Sequence, residues 1–135
     1  MGNATVSGIF ARMFMGLRSA FRTGRGWGRL YRCQYDRAIP DLEFVWRQEP
    51  SPILVDGPLG QTYARVGRDE EALHLLEQLA AAVRAGSNEI QSDAGLWAAL
   101  DGLVVLASLL DKRERHAEAE QVRALAKELG YETKK

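Results

Sequence analysis

Two alanines, Ala38 and Ala72, stand 34 residues apart, each near the start of an apolar pattern of helical spacing, and Ala119 follows after a further 47. This recurrence constrains the fold more than any other feature of the chain. Helix pairs repeated at a period near 34 residues form a solenoid, in which no single pair buries its own apolar face and neighbours must stack. With 135 residues the chain has room for one domain. Hydrophobic residues make up 46% and charged residues 27%, enough apolar surface to offset the entropy of ordering, so an ordered all-α domain is expected.

Val6, Ile9, Phe10, Met13, Phe14, Leu17 and Phe21 share one helical stripe, with Arg12, Arg18 and Arg22 largely off it. That spacing predicts an amphipathic helix over 5–22. Residues 1–23 are expected to cap the domain or contact a partner. Gly24, Gly26 and Gly28 would each weaken a helix by about 1 kcal/mol relative to alanine, so a break is expected there. Further helices are predicted over 28–33, 36–48, 54–65, 69–84, 89–112 and 116–129, placing the domain at 24–130 and a short tail at 131–135. Pro50-Ser51-Pro52 punctuates the chain, Gly67 precedes Asp69 as N-cap, and Gly86-Ser87-Asn88 with Gln91 suggests a capping box. The stretch over 89–112 is the most apolar. Asp101 interrupts it and it falls short of the ~20 apolar residues that cross a bilayer, so a buried central helix is expected.

Leu59-Gly60-Gln61-Thr62-Tyr63, followed by Gly67, Ala72 and Leu76, resembles the tetratricopeptide repeat (TPR) motif. In that motif the small residues let the two helices of a hairpin approach and the tyrosine fills the gap between them. Gly28, Tyr31 and Ala38 resemble the same positions in an earlier unit whose turn would be about two residues short. Ala107 and Ala119 resemble those of a later unit, with 13 residues inserted ahead of it. The resemblance covers about residues 24–130 and implies three hairpins in a short right-handed solenoid, its first helices lining a concave face that holds a peptide or partner helix. Carried onto this chain, the inward-facing positions are Arg25, Arg29, Arg32 and Cys33, then Leu54, Gln61, Ala64 and Arg65, then Ser108, Asp111 and Lys112. Four arginines would make the groove basic and suit an acidic or carboxylate-bearing partner through charge-assisted hydrogen bonds. The paired Lys and Asn with which some members of the family clamp a terminal carboxylate have no matching Asn here.

Charge is uneven. The first 37 residues hold seven arginines and one acid, Asp36, leaving that third near +6 and the remainder near −6. Such asymmetry points to an acidic partner, an anionic membrane surface or packing of one part on the other. His74 and His116 lie far apart with no His or Cys at ligand spacing, so neither metal nor cofactor is expected. Cys33 has no orienting motif for nucleophilic chemistry. As the single cysteine it excludes an internal disulfide and suits a reducing compartment, so a cytoplasmic location is expected. Gly24-Arg25-Gly26-Trp27-Gly28 imitates a phosphate loop but follows a helix instead of a strand. Trp46 and Trp97 are expected in the core.

These readings converge on a non-catalytic module that binds another protein, as an adaptor and as monomer or homodimer. The alternative is a dedicated inhibitor or chaperone in a tight one-to-one complex, like an immunity protein or secretion chaperone. A third class, binding nucleic acid or a membrane surface through the basic N-terminal third, is disfavoured, and no small-molecule substrate is implied.

Overall fold

Four chain reversals share one geometry: three join the two helices of a hairpin, and the fourth, at Gly86 (φ 74°) with the Ser87 amide on the Ala82 carbonyl at 3.0 Å, separates the second hairpin from the third. Cys33, Gly67 and Glu114 all take positive φ, at 59°, 83° and 62°. In each case the next amide bonds back to a carbonyl five residues earlier: Gln34 to Arg29 at 2.8 Å, Arg68 to Tyr63 at 2.8 Å and Arg115 to Leu110 at 2.9 Å. These bonds satisfy carbonyls left open at a helix end, and the left-handed residue turns the chain into the next helix. The spacings between the three turns are again 34 and 47 residues.

The computed structural model describes residues 6–48 and 51–132, with side chains from Leu17 to Gly130 apart from Ser19. Pro50, residues 133–135 and the side chains of Val6, Ile9, Phe10, Met13 and Phe14 lie outside the described residues. Among the described residues six α-helices make three antiparallel hairpins: α1 (Val6–Tyr31) with α2 (Tyr35–Gln48), α3 (Asp56–Arg65) with α4 (Asp69–Arg84), and α5 (Asp93–Lys112) with α6 (His116–Glu132). No strand occurs among the described residues. The protein is an all-α helical repeat, with α2 packed on α3, α4 on α5, and α3 beside α5.

Two close approaches repeat the 34-residue spacing in three dimensions. A Cβ on Gly26 would lie 2.8 Å from Leu42 Cγ and Cδ2, and a Cβ on Gly60 would lie 2.8 Å from the same atoms of Leu76. Ala38, Ala72 and Ala119 are each fully buried where the second helix of a hairpin begins. The core between hairpins is built from Leu42, Ile53, Leu59, Leu76, Leu79, Leu103, Leu106 and Leu110, all under 2% exposed. Burial contributes about 1.5–3 kcal/mol for each such side chain. The ion pairs between the second and third hairpins, such as Lys112 with Asp69 at 2.7 Å, are exposed and worth at most about 1 kcal/mol each, so apolar packing sets the stacking.

Several predicted boundaries move. The expected break at Gly24–Gly28 does not occur, and the predicted short helix over 28–33 is the end of α1. Gly26 is there for a helix crossing, and one close contact compensates for glycine's weak helix propensity. The predicted start of the fifth helix gives way to a 3₁₀ turn, Asn88–Gln91, before α5. Ser92 caps α5 by accepting from the Gly95 amide at 3.0 Å, in place of the expected Asn88 and Gln91 box. Gly95 itself lies under the Glu89 carbonyl, where any Cβ would collide at 1.7 Å. At α4, Arg68 holds the N-cap position without a side-chain cap bond, and Asp69 lies within the first turn. Gly130 does not end α6, which runs on to Glu132. By length and composition α5 could cross a membrane, but half of that stretch is buried against its neighbours.

Candidate partner-binding groove

The first helices of the three hairpins line one open cleft. Tyr31, near the end of α1, forms one wall, Gln61, Ala64 and Arg65 of α3 the floor, and Asp101, Val104, Val105 and Ser108 of α5 the other wall. Two depressions of about 340 and 620 Å³ share Arg65, Val104 and Val105, so they are parts of one surface. Trp97, Asp101, Val104 and Ser108 follow one another at spacings of four, three and four residues, which puts them on a single face of α5. Val104 and Trp97 on that face, and Tyr31 of α1, are 64%, 60% and 59% exposed.

Electrostatics in the cleft are mixed. Arg65 and Lys112 supply positive charge, against Asp69, Asp101 and Asp111. Lys112 Nζ donates to Asp69 Oδ2 at 2.7 Å. Asp111 faces away from the cleft centre toward α6, where it pairs with Arg123 and accepts from His116 Nδ1 at 2.8 Å. Those two partners, Arg123 foremost, hold its carboxyl below the usual range. Burial raises the Asp101 carboxyl, and burial together with the Asp101 charge raises the Tyr31 phenol.

The structure gathers only part of the predicted site. Gln61, Ala64, Arg65 and Ser108 line the cleft, with Asp111 and Lys112 at its edge. Cys33 stands at the rim beside Tyr31. Arg32 is exposed just past the end of α1. Arg25 and Arg29 do not line it, and their placement corrects the expected basic groove. Arg25 holds Asp41 with both nitrogens, Nε to Oδ2 at 2.9 Å and Nη2 to Oδ1 at 2.6 Å. Arg29 Nη1 donates to Asp41 Oδ2 at 2.8 Å and to the Arg37 carbonyl at 3.1 Å. Asp41 is 1% exposed, so these arginines neutralise a buried charge between α1 and α2.

The physical reason is register. Gly26, not Gly28, is the counterpart of Gly60, since a Cβ on Gly28 would meet nothing within 4 Å. With that register Arg25, Arg29 and Asp41 occupy the positions of Leu59, Tyr63 and Leu75, all of which are buried in the second hairpin. Tyr31, expected to pack inside its hairpin, instead takes the place of Arg65 and faces the cleft. Val104, which sequence reasoning left out of the site, lines the cleft, and Trp97, also left out, stands two turns along the same α5 face; both are more than half exposed. Trp97 had been expected in the core, and only its place on the α5 face opposite Ala98, Ala99 and Leu103 distinguishes it.

A second, smaller depression of about 290 Å³ lies on the other side, between α2 and α4, lined by Trp46, Leu59, Tyr63, His74 and Leu75 with Glu70 and Glu71. Trp46, also expected in the core, is 38% exposed there. Among the described residues no three His, Cys, Asp or Glu side chains come together as a metal site. No family model, curated protein or solved structure matches the chain. The cleft must therefore be read from its own residues.

Proposed function

We propose that this chain is a non-catalytic protein-binding module of the TPR type, holding a segment of another protein against the α1, α3 and α5 face. The observation that carries the reading is a pair of exposed apolar groups, Tyr31 and Val104, lining a cleft whose polar groups are Gln61, Arg65, Asp101 and Ser108, with exposed Trp97 two turns along the same face of α5. Apolar anchors with a few convergent polar groups are what a peptide or helix docking surface needs. With Arg25 and Arg29 committed to Asp41, the cleft suits an amphipathic segment whose apolar side chains reach Val104 and Trp97, with an acid near Arg65 and a base near Asp101. A uniformly acidic segment suits it less well.

The test is capture of the partner by the intact protein and by a variant carrying Trp97→Glu and Val104→Glu. Both residues are exposed, so folding is retained, as circular dichroism would verify. Affinity is expected to fall about 30-fold or more, the loss typical of removing central anchors. Equal capture by both proteins would place binding elsewhere.

A further inference from the structure

α1 is far longer than its partner helix: 26 residues against 14. Gly26 meets Leu42, and Arg22 and Arg18 lie over the Phe44 ring at 4.2 and 5.7 Å. This antiparallel alignment brings α2 to its end at Gln48 beside Arg18, and the turns of α1 before Leu17 run past it. At the junction Leu17 and Phe21 are 67% and 65% exposed, on the opposite side of α1 from Gly26. The described part of the apolar stripe thus stays mostly open to solvent, with the Arg25 guanidinium 5.2 Å above the Phe21 ring.

Charge decides what that face fits. No acid occurs before Asp36, while Arg12, Arg18 and Arg22 lie in the same stretch as the stripe. Arg18 and Arg22 border the Leu17 and Phe21 line on the side toward α2 and lie over the Phe44 ring. A helix pairing with another protein helix carries charges of both signs along its seam, and two copies of this one would set arginine against arginine. An apolar sector with cations of one sign at its border matches a surface that is apolar beneath and uniformly anionic above.

We propose that α1 as far as Arg22 lies in the plane of an anionic bilayer, with Leu17 and Phe21 entering the acyl boundary and Arg18 and Arg22 at headgroup level. This inference is independent of the function assigned to the cleft.

Co-sedimentation of the full chain with phosphatidylserine-containing vesicles and with pure phosphatidylcholine vesicles tests it. Binding to the anionic vesicles is expected to exceed that to neutral ones by about tenfold or more, to fall with added salt, and to be lost in a Leu17→Glu, Phe21→Glu variant. Because both side chains are exposed, the variant should melt like the parent. Absence of binding to anionic vesicles, or equal binding by the variant, would overturn the proposal. So would a dimer that the variant dissociates, or retention on polyglutamate without vesicle binding, which would give the face to a second copy or to an acidic protein.

Discussion

Asp56 opens α3 with a carboxylate oxygen, Oδ1, that is buried without a hydrogen-bond partner among the described residues. The neighbouring Glu89 is better served, accepting from Ser51 Oγ and from the Leu54 amide at 3.3 Å. Burial first, and then the Glu89 charge, push the Asp56 carboxyl up to about 6 from an ordinary 3.8. The folded chain thus binds this proton more tightly than the unfolded chain, and the stabilisation so gained is fully present below pH 3.8 and lost as pH rises through about 6. Between about pH 5 and 8 urea unfolding should show a loss on the order of 1–2 kcal/mol from this group, absent in Asp56→Asn. A loss of the same size in the variant would assign it to another group. Glycine supplies a second test at this scale. Gly26→Ala should destabilise by about 1–3 kcal/mol, because the new methyl meets the buried Leu42 side chain. Gly28→Ala, with open space around it, should be neutral or stabilise by up to about 1 kcal/mol. Thermal melts of the two variants would show whether the register is right.

At the scale of elements, the first two hairpins solve one packing problem in two ways. Between α3 and α4 the contact is Leu59, Tyr63 and Leu75, with the Tyr63 hydroxyl donating to Glu43 at 2.7 Å. Between α1 and α2 the same positions hold Arg25, Arg29 and Asp41, a buried carboxylate with two half-exposed cations. Removing one member of a buried pair strands the others, so Asp41→Ala should cost about 2–4 kcal/mol. Replacing all three with the second hairpin's residues, Arg25→Leu, Arg29→Tyr and Asp41→Leu, should be neutral or stabilising by about 1–4 kcal/mol. Chemical denaturation measures both, and a triple variant as unstable as Asp41→Ala would refute the equivalence of the hairpins. This substitution also explains a misreading. Arginines on a helix ordinarily face solvent, and nothing local in the sequence marks Asp41 as buried. Three alternate glycines ordinarily end a helix, and α1 stays whole through long-range contacts, Gly26 on Leu42 and Arg25 and Arg29 on Asp41 among them. The turns were legible because Gly67 and the in-register alanines carry their own local signal. Cys33 and Glu114, which adopt the same conformation with a side chain, carry none.

For the molecule as a whole, the count and pairing of hairpins could be read from the 34-residue recurrence and from strong apolar periodicity after residue 54. The position of the cleft between first helices could be read as well. Its chemistry could not, because a shift of two residues in the first hairpin exchanges which side chains face inward. That shift removes Arg25 and Arg29 from the cleft and puts Tyr31 there. Exposed Trp97 and Val104 escaped notice since α5 is apolar nearly all round, and periodicity is weakest where a helix is buried on most sides. The central claim is that partner contact runs along the α1, α3 and α5 face. It is tested most directly by a photo-crosslinking amino acid placed in turn at Tyr31, Val104 and Ser108, with Gln78 on the exposed side of α4 as the control. One partner crosslinked from the three cleft positions and not from Gln78 is the expected result. Crosslinks from Gln78 alone, or equally from all four positions, would contradict it.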